Sequence, residues 1–393
     1  MAERADVVIV GAGVNGASLA FHLTALGVRD VLVIEQRYVA AGATGKSGAL
    51  VRMHYTNPHE TALALASLRQ FQAWPDLVGT PSPLVRTGFV QLVPRSYADD
   101  LRSTVAMLRD VGVDTVLLTA DELRELEPAI ALDDDPAIAY EPESGYADPY
   151  ATAWGFLTRA QERGARLWEG VTVLGVRHHG DRVLGVETTR GPVDAPIVVL
   201  APGAWANRLL QPLGIDLGLE PHRVQVVLFR WPGTFHQRLT YIDAGLNLWF
   251  RPEGTNLTLS GVEVAVRNAD PDTYQETGDA EFVNPTRQTL ARRFPALAAA
   301  PLRGSWAGII MMSPDGHPII DQLPGYQGLF AILGDSGTSF KTAPAIGRCL
   351  AEWIVEGQPR TVDLTPFSVR RLLEGRPWRD PTNYGRVRPT ISR

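Results

Sequence analysis

The chain has 393 residues, 45% of them apolar and 20% charged, with a formal net charge of −6. That length exceeds one ordinary core and predicts two domains, and the negative balance gives no general attraction for nucleic acid or an anionic membrane surface. No apolar run approaches the roughly 20 residues of a bilayer span, and Cys349, the single cysteine, excludes an internal disulfide and a cysteine-based metal cluster. A cytosolic enzyme is the default expectation; the VVIV run near the start is too short for a signal sequence and follows Glu3 and Asp6 rather than basic residues.

The first predicted elements organise the rest. Asp6 to Val10 reads as a buried parallel strand running into Gly11-Ala12-Gly13-Val14-Asn15-Gly16, with a helix over 15–26 and a second strand, Val31 to Ile34, closing on Glu35. Gly11 allows a tight turn, Gly13 lets the backbone approach a pyrophosphate, and Gly16 lets helix and strand pack closely. Val14 and Asn15 start the helix, whose unpaired N–H groups suit phosphate. Glu35 lies 19 residues after Gly16, where an acid accepts hydrogen bonds from an adenosine ribose. A dinucleotide site follows. The motif alone does not choose between FAD and NAD.

Beyond it, Arg37 to Ser47 is a loop of small residues, and Glu60 to Trp74 a helix. Gly88 to Val93 predicts a strand, Tyr97 to Asp110 an amphipathic helix, and Asp121 to Glu127 a short one. The βαβ rhythm is lost over about 86–144 and returns with a helix from Asp148 to Arg163, strands at 171–173, 182–188 and 197–200, and the turn Ala201 to Trp205. Residues 221–262 read as antiparallel strands and Pro285 to Phe294 as a helix; Leu329 to Leu333, a glycine turn through Lys341 and a helix to about Val355 close the α/β pattern. Two discontinuous lobes are expected. The nucleotide lobe takes 1–85, 145–220 and 300–393, and the sheet-based lobe takes 86–144 and 221–299.

Four segments carry a family resemblance: VVIVGAGVNGASLAFHL with VLVIEQ, AAGATGKSGALVRMHY, VVLAPGAWANRLL, and SPDGHPIID with LFAILGDSGTSFKTAPAIGRCLAEWI. Together, and with LWFRPEGTNLTLSG, they resemble the D-amino-acid-oxidase-like flavoproteins, closest to the sarcosine oxidase and dimethylglycine dehydrogenase branch. The resemblance implies an α/β fold: a Rossmann-like FAD-binding domain of the glutathione-reductase type beside an α+β substrate domain on a mainly antiparallel sheet. It implies FAD rather than NAD. Gly11, Gly13 and Gly16 would hold its pyrophosphate and Glu35 its ribose, flanked by Gln36 and Arg37. Thr44, Lys46, Ser47 and Gly48 would pass the pyrophosphate and flavin, Val173 would meet adenine, and Ala201, Gly203 and Trp205 would lie beside the nucleotide. Gly334, Asp335, Gly337, Thr338, Ser339 and Lys341 form the turn whose following helix would point at the flavin.

The same resemblance makes Arg52 and Lys341 a clamp for a substrate carboxylate. His54 would take a proton from the substrate ammonium, and Tyr55, Tyr241, Trp249 and Arg251 would line the pocket. Gly308 stands where some relatives attach FAD through a cysteine, and the loop after Glu35 has no histidine, so FAD is expected to be non-covalent. Thr258 stands where monomeric oxidases carry an oxygen-activating lysine, which leaves oxygen or another electron acceptor open; Lys46 is a substitute cation. The implied activity is oxidation of the C–N bond of a small carboxylate-bearing amine, N-alkylated or secondary, with hydride passing to flavin N5. Two alternatives are oxidation of a hydroxy acid or a biosynthetic tailoring reaction on the same fold, and a non-catalytic flavin subunit of a hetero-oligomer with a partner subunit. No metal is expected, since His178-His179 have no acids at ligand spacing.

Overall fold

The computed structural model describes residues 3–233, 237–262 and 264–385. A six-stranded sheet lies at the centre of the first lobe, in the order Arg166–Trp168, Val31–Ile34, Val7–Val10, Ile197–Leu200, Leu329–Leu333, Ile319–Gln322. The first five run parallel and the last antiparallel. Strand residues alternate faces, and both faces are covered, which is why these strands read as unbroken apolar runs. Val7, Ile9, Val31 and Val33 meet a helical layer, whereas Val8, Val10, Leu32 and Ile34 meet a layer containing Val183, Val186 and Val193. The helical layer holds Val14–Ala25, Pro149–Glu162 and Ala343–Glu356. Small residues let these helices cross closely: a Cβ on Gly347 would lie 2.3 Å from Ser18 Oγ. The second covering layer is a small sheet ordered Glu3–Arg4, Val193–Asp194, Arg182–Thr188, Val173–His179.

The second lobe is built on a nine-stranded sheet, antiparallel except where Thr240–Asp243 runs parallel to Phe89–Val93. One face carries Val90, Tyr241, Phe250 and Phe229 into a core closed by the helix Ala280–Ala291. The other face turns toward the nucleotide lobe. The sequence pattern misses Val116–Leu118, Ala137–Glu141, Val266–Arg267 and the eleven-residue strand Leu302–Met312, the last of which pairs along Glu220–Arg230. This sheet therefore takes in residues that the ranges above place in the nucleotide lobe. The helix expected to start at Pro285 begins at Ala280 instead and carries Pro285 inside it; proline is commonest in a first turn, and that preference misplaced the start. Among the described residues no helix is long and apolar enough to cross a membrane, and no group of three or more His, Cys, Asp or Glu could hold a metal ion.

Candidate active site

The carboxyl ends of the parallel strands open into one long cavity, the usual ligand position in such a sheet. At its floor Gly11 leaves the first strand with φ +104°, where a Cβ would lie 2.4 Å from the Ala201 carbonyl oxygen. A Cβ on Gly16 would lie 2.0 Å from the Gly11 oxygen, so Gly16 serves close packing and stays behind the wall. Gly13 caps the first helix in extended conformation with no side-chain cap; the Val14 N–H donates to Thr44 Oγ1 at 3.0 Å. Glu35 edges the cavity while Oε2 accepts from Ala12 N–H at 2.9 Å and Oε1 from Arg37 N–H at 2.8 Å. Burial raises its pKa against those two bonds. Fixed in this way, the carboxylate still has lone pairs for a hydroxyl donor.

The expected cofactor residues converge on this cavity. Val14, Asn15, Gln36, Arg37, Thr44, Lys46, Ser47, Gly48, Val173, Ala201, Gly203 and Trp205 all line it, as do Gly334, Asp335, Gly337, Ser339 and Lys341. Thr338 does not. Its side chain is buried, and its carbonyl accepts from Tyr55 Oη at 3.0 Å and Lys341 Nζ at 2.9 Å. Burial pushes the Asp335 pKa up to about 6, with Lys341 opposing. An acidic segment outside the cavity holds side chains of the wall: Glu276 pairs with the cations Arg37 at 2.9 Å and Lys46 at 3.0 Å, and Asp272 accepts from the neutral Trp205 Nε1 at 2.7 Å.

Arg52 and Lys341, from segments far apart in sequence, both line the cavity and meet at one ring, that of Tyr55. The Arg52 guanidinium lies 5.0 Å from the Tyr55 ring centroid and 5.6 Å from that of Phe89, and Nη1 donates to the His54 carbonyl. Lys341 Nζ lies 4.9 Å from the same Tyr55 centroid. Ile242, Trp249 and Val262 from the antiparallel sheet line the same cavity. The Trp249 indole is fixed between Gly48 and Gly261, where added Cβ atoms would come within 2.5 and 2.8 Å of it.

Four expected pocket residues are elsewhere. His54 is buried behind the wall with Nε2 3.0 Å from Tyr384 Oη. Tyr55 lies behind both cations rather than in the wall. Tyr241 is on the opposite face of its sheet: it pairs with Phe250, stacks on it at 4.5 Å and approaches Glu127. Ile242, paired with Trp249, takes the cavity face, as strand alternation requires. Arg251 is also outside the wall; it is held by the Gly48 carbonyl at 2.6 Å and lies over the Tyr146 ring at 4.1 Å. Thr258, paired with Pro252 beside the Phe250 face, bonds to Trp231 and Gln237 away from the cavity.

Sequence reasoning missed Ile310 and Met311 of Leu302–Met312, and also Gln225, whereas Gly308, placed beside the cofactor by the resemblance, lines the cavity. It also missed Glu141, a fully buried acid in the strand Ala137–Glu141. Glu141 Oε2 accepts from Met53 N–H at 2.9 Å and Ser144 Oγ at 2.6 Å. Burial raises its pKa, while Arg52 and Lys341 pull it down. The only signal was an acid ending an apolar strand.

The family model described as DAO, FAD dependent oxidoreductase, matches residues 6–353. The chain belongs to that family. This FAD-dependent oxidoreductase is 26% identical to sarcosine oxidase subunit beta of Arthrobacter sp over 94% of its own length and 91% of that protein. It is 28% identical to glycine oxidase of Geobacillus kaustophilus (strain HTA426), covering 95% and 98% of the two chains. Its fold matches the crystal structure of L-proline dehydrogenase from P.horikoshii with a TM-score of 0.89, at 25% identity over 96% of this chain and all of that one. The cavity fits FAD on its own terms. Asn15 Oδ1 and Ser339 Oγ, both from residues of the wall, are buried without a hydrogen-bond partner among the described residues. Buried polar atoms are seldom left so, and a polar ligand along this wall would satisfy them.

Proposed function

We propose that the oxidoreductase oxidises the C–N bond of a small amine bearing a carboxylate, an N-alkyl or secondary amino acid of the sarcosine type. The observation that carries this reading is the convergence of Arg52 and Lys341, both in the wall of the FAD cavity, on the single ring of Tyr55. A guanidinium forks onto a carboxylate and an ammonium adds a second fixed charge, which orients the substrate as well as holding it. Bound FAD supplies the two-electron acceptor. The wall formed by Ile242, Trp249 and Val262 excludes water around the reacting carbon and limits substrate size. Gly11, Gly13, Val14 and Asn15 would meet the pyrophosphate, Glu35 the adenosine ribose, and Thr44 to Gly48 with Gly334 to Ser339 the flavin half. His54 carries no proton in this scheme, because its ring is turned to Tyr384.

FAD is held without a covalent link. Gly308 faces Lys46 in the wall and offers no thiol. Cys349 is buried in the last long helix, with its pKa pushed up to about 12 by burial. The names of the relatives support a substrate with a CH–NH group. The similarity to a beta subunit supports a second reading, in which the electrons pass to a partner subunit. The test is anaerobic mixing of the isolated holoenzyme with N-methylglycine, L-proline, glycine and a 2-hydroxy acid, followed by admission of oxygen. Bleaching of the visible flavin band by the N-alkylated substrates supports the proposal, and bleaching by the hydroxy acid alone overturns it. Slow return of colour in oxygen, accelerated by an artificial acceptor, supports the second reading.

A further inference from the structure

We infer that Tyr55 is the positioning residue of the carboxylate site: its ring is the shared platform that sets the spacing of Arg52 and Lys341. The inference rests on the clamp reading above and extends it to a side chain that the substrate does not touch. Arg52 Cζ and Lys341 Nζ lie 5.0 and 4.9 Å from the same ring centroid. Two like charges brought this near each other in a buried site repel, and the negative face of an aromatic ring offsets part of that repulsion without neutralising either charge. A carboxylate in Tyr55's place would neutralise the clamp, and an aliphatic side chain would remove the ring's share of the compensation and leave the rest to groups such as the buried Glu141 carboxyl, which feels both cations.

The ring itself is fixed. Tyr55 is fully buried, and its hydroxyl donates to the Thr338 carbonyl at 3.0 Å. That carbonyl also accepts from Lys341 Nζ at 2.9 Å, so one oxygen ties both the ring and the ammonium to the Gly334–Lys341 turn. On the other side, Phe89 at 5.6 Å and the His54 carbonyl hold the guanidinium against the same ring. The two cations arrive from distant parts of the sequence, and Tyr55 is the side chain that both meet. Small-carboxylate affinity therefore depends on the ring, which touches both cations while staying outside the cavity wall itself.

The experiment titrates FAD-loaded enzyme with sodium acetate, and separately with acetamide, at constant ionic strength, and follows the change in the visible flavin spectrum. Acetate perturbs the wild-type spectrum and acetamide does not. In fully FAD-loaded protein Tyr55→Leu weakens acetate binding at least tenfold, a larger loss than its loss of FAD affinity, and with an oxidisable substrate KM rises more than kcat falls. Tyr55→Phe keeps the ring and stays within about threefold of wild type. If Tyr55→Leu binds acetate as tightly as wild type while Arg52→Met does not, the platform is refuted and the clamp stands. If Arg52→Met and Lys341→Met both bind acetate normally, the clamp itself is refuted. Should Tyr55→Leu fail to fold, phenylalanines bearing zero to three ring fluorines at position 55 give the same test with the shape kept. Acetate affinity falling with each fluorine supports the inference, and a flat series overturns it.

Discussion

Replacing Arg52 by methionine separates the charge of the clamp from its volume. The methionine chain fills most of the space between the Tyr55 and Phe89 rings, so the local packing survives while the guanidinium is lost. Arg52 is 1% exposed, and its partner in the complex would be desolvated too; truncating one member of such a pair costs about 3 kcal/mol, roughly a 100-fold loss in kcat/KM. Lys341 remains, which keeps the loss short of complete. Glu141 moderates the effect: burial already raises its pKa, and without the guanidinium it shifts further toward its protonated form, which removes a negative charge from the neighbourhood of the substrate carboxylate. The assay compares an N-alkyl amino acid with its uncharged amide in wild type and Arg52→Met, at saturating FAD. The wild type prefers the acid by about two orders of magnitude, and the variant by less than about fivefold. A variant that keeps the full preference for the acid would show that Arg52 is structural and that the carboxylate binds elsewhere.

Gly11→Ala places a Cβ 2.4 Å from the Ala201 oxygen at φ +104°, so FAD affinity falls at least tenfold, read by flavin fluorescence on titration, while the far-ultraviolet dichroism is retained. His22 is buried against Gln70, and burial lowers its pKa from 6.5 to about 3. The unfolded chain then binds a proton that the folded one refuses, so stability falls as the pH drops from 6.5 toward 3. Urea unfolding should show wild type losing about 2 kcal/mol more than His22→Gln between pH 7 and pH 5, and equal losses would refute the assignment. Asp335 works in the opposite direction, since ionisation above its ordinary 3.8 is unfavourable up to about pH 6. In FAD-free protein Asp335→Asn should be about 1 kcal/mol more stabilising at pH 7 than at pH 5, measured by the same unfolding curves. Trp249→Ala removes an indole from the wall that also holds the cations, so the ratio of kcat/KM for a bulky N-alkyl amino acid over N-methylglycine should rise at least tenfold.

What the sequence made legible and what it hid follow from the range of the interactions. The floor of the cavity is a local construction, Gly11 to Gly16 with Glu35, and each of those residues is where spacing put it because strand, turn and helix are contiguous. The convergence of Arg52 and Lys341 was carried by resemblance alone, because no local rule brings residues so far apart in sequence to one ring. The sheet lobe was harder for a different reason. Alternation along a strand says that Tyr241 and Ile242 face opposite ways, but which of them sees the cavity depends on register with the neighbouring strand. Pairing of Tyr241 with Phe250 and of Ile242 with Trp249 settles it, and that pairing joins strands across a turn whose sequence, Ala244 to Asn247, has no short hairpin signature. The strand Leu302–Met312 was hidden more simply: Arg303, Gly304, Ser305 and two methionines break the apolar alternation, and its partner Glu220–Arg230 supplies the order through ten paired residues. A long antiparallel partner can thus hold in place a segment with little strand preference of its own. That segment brings Ile310 and Met311 into the cavity wall, so the part of the site least visible in the sequence depends on non-local hydrogen bonding rather than on any motif.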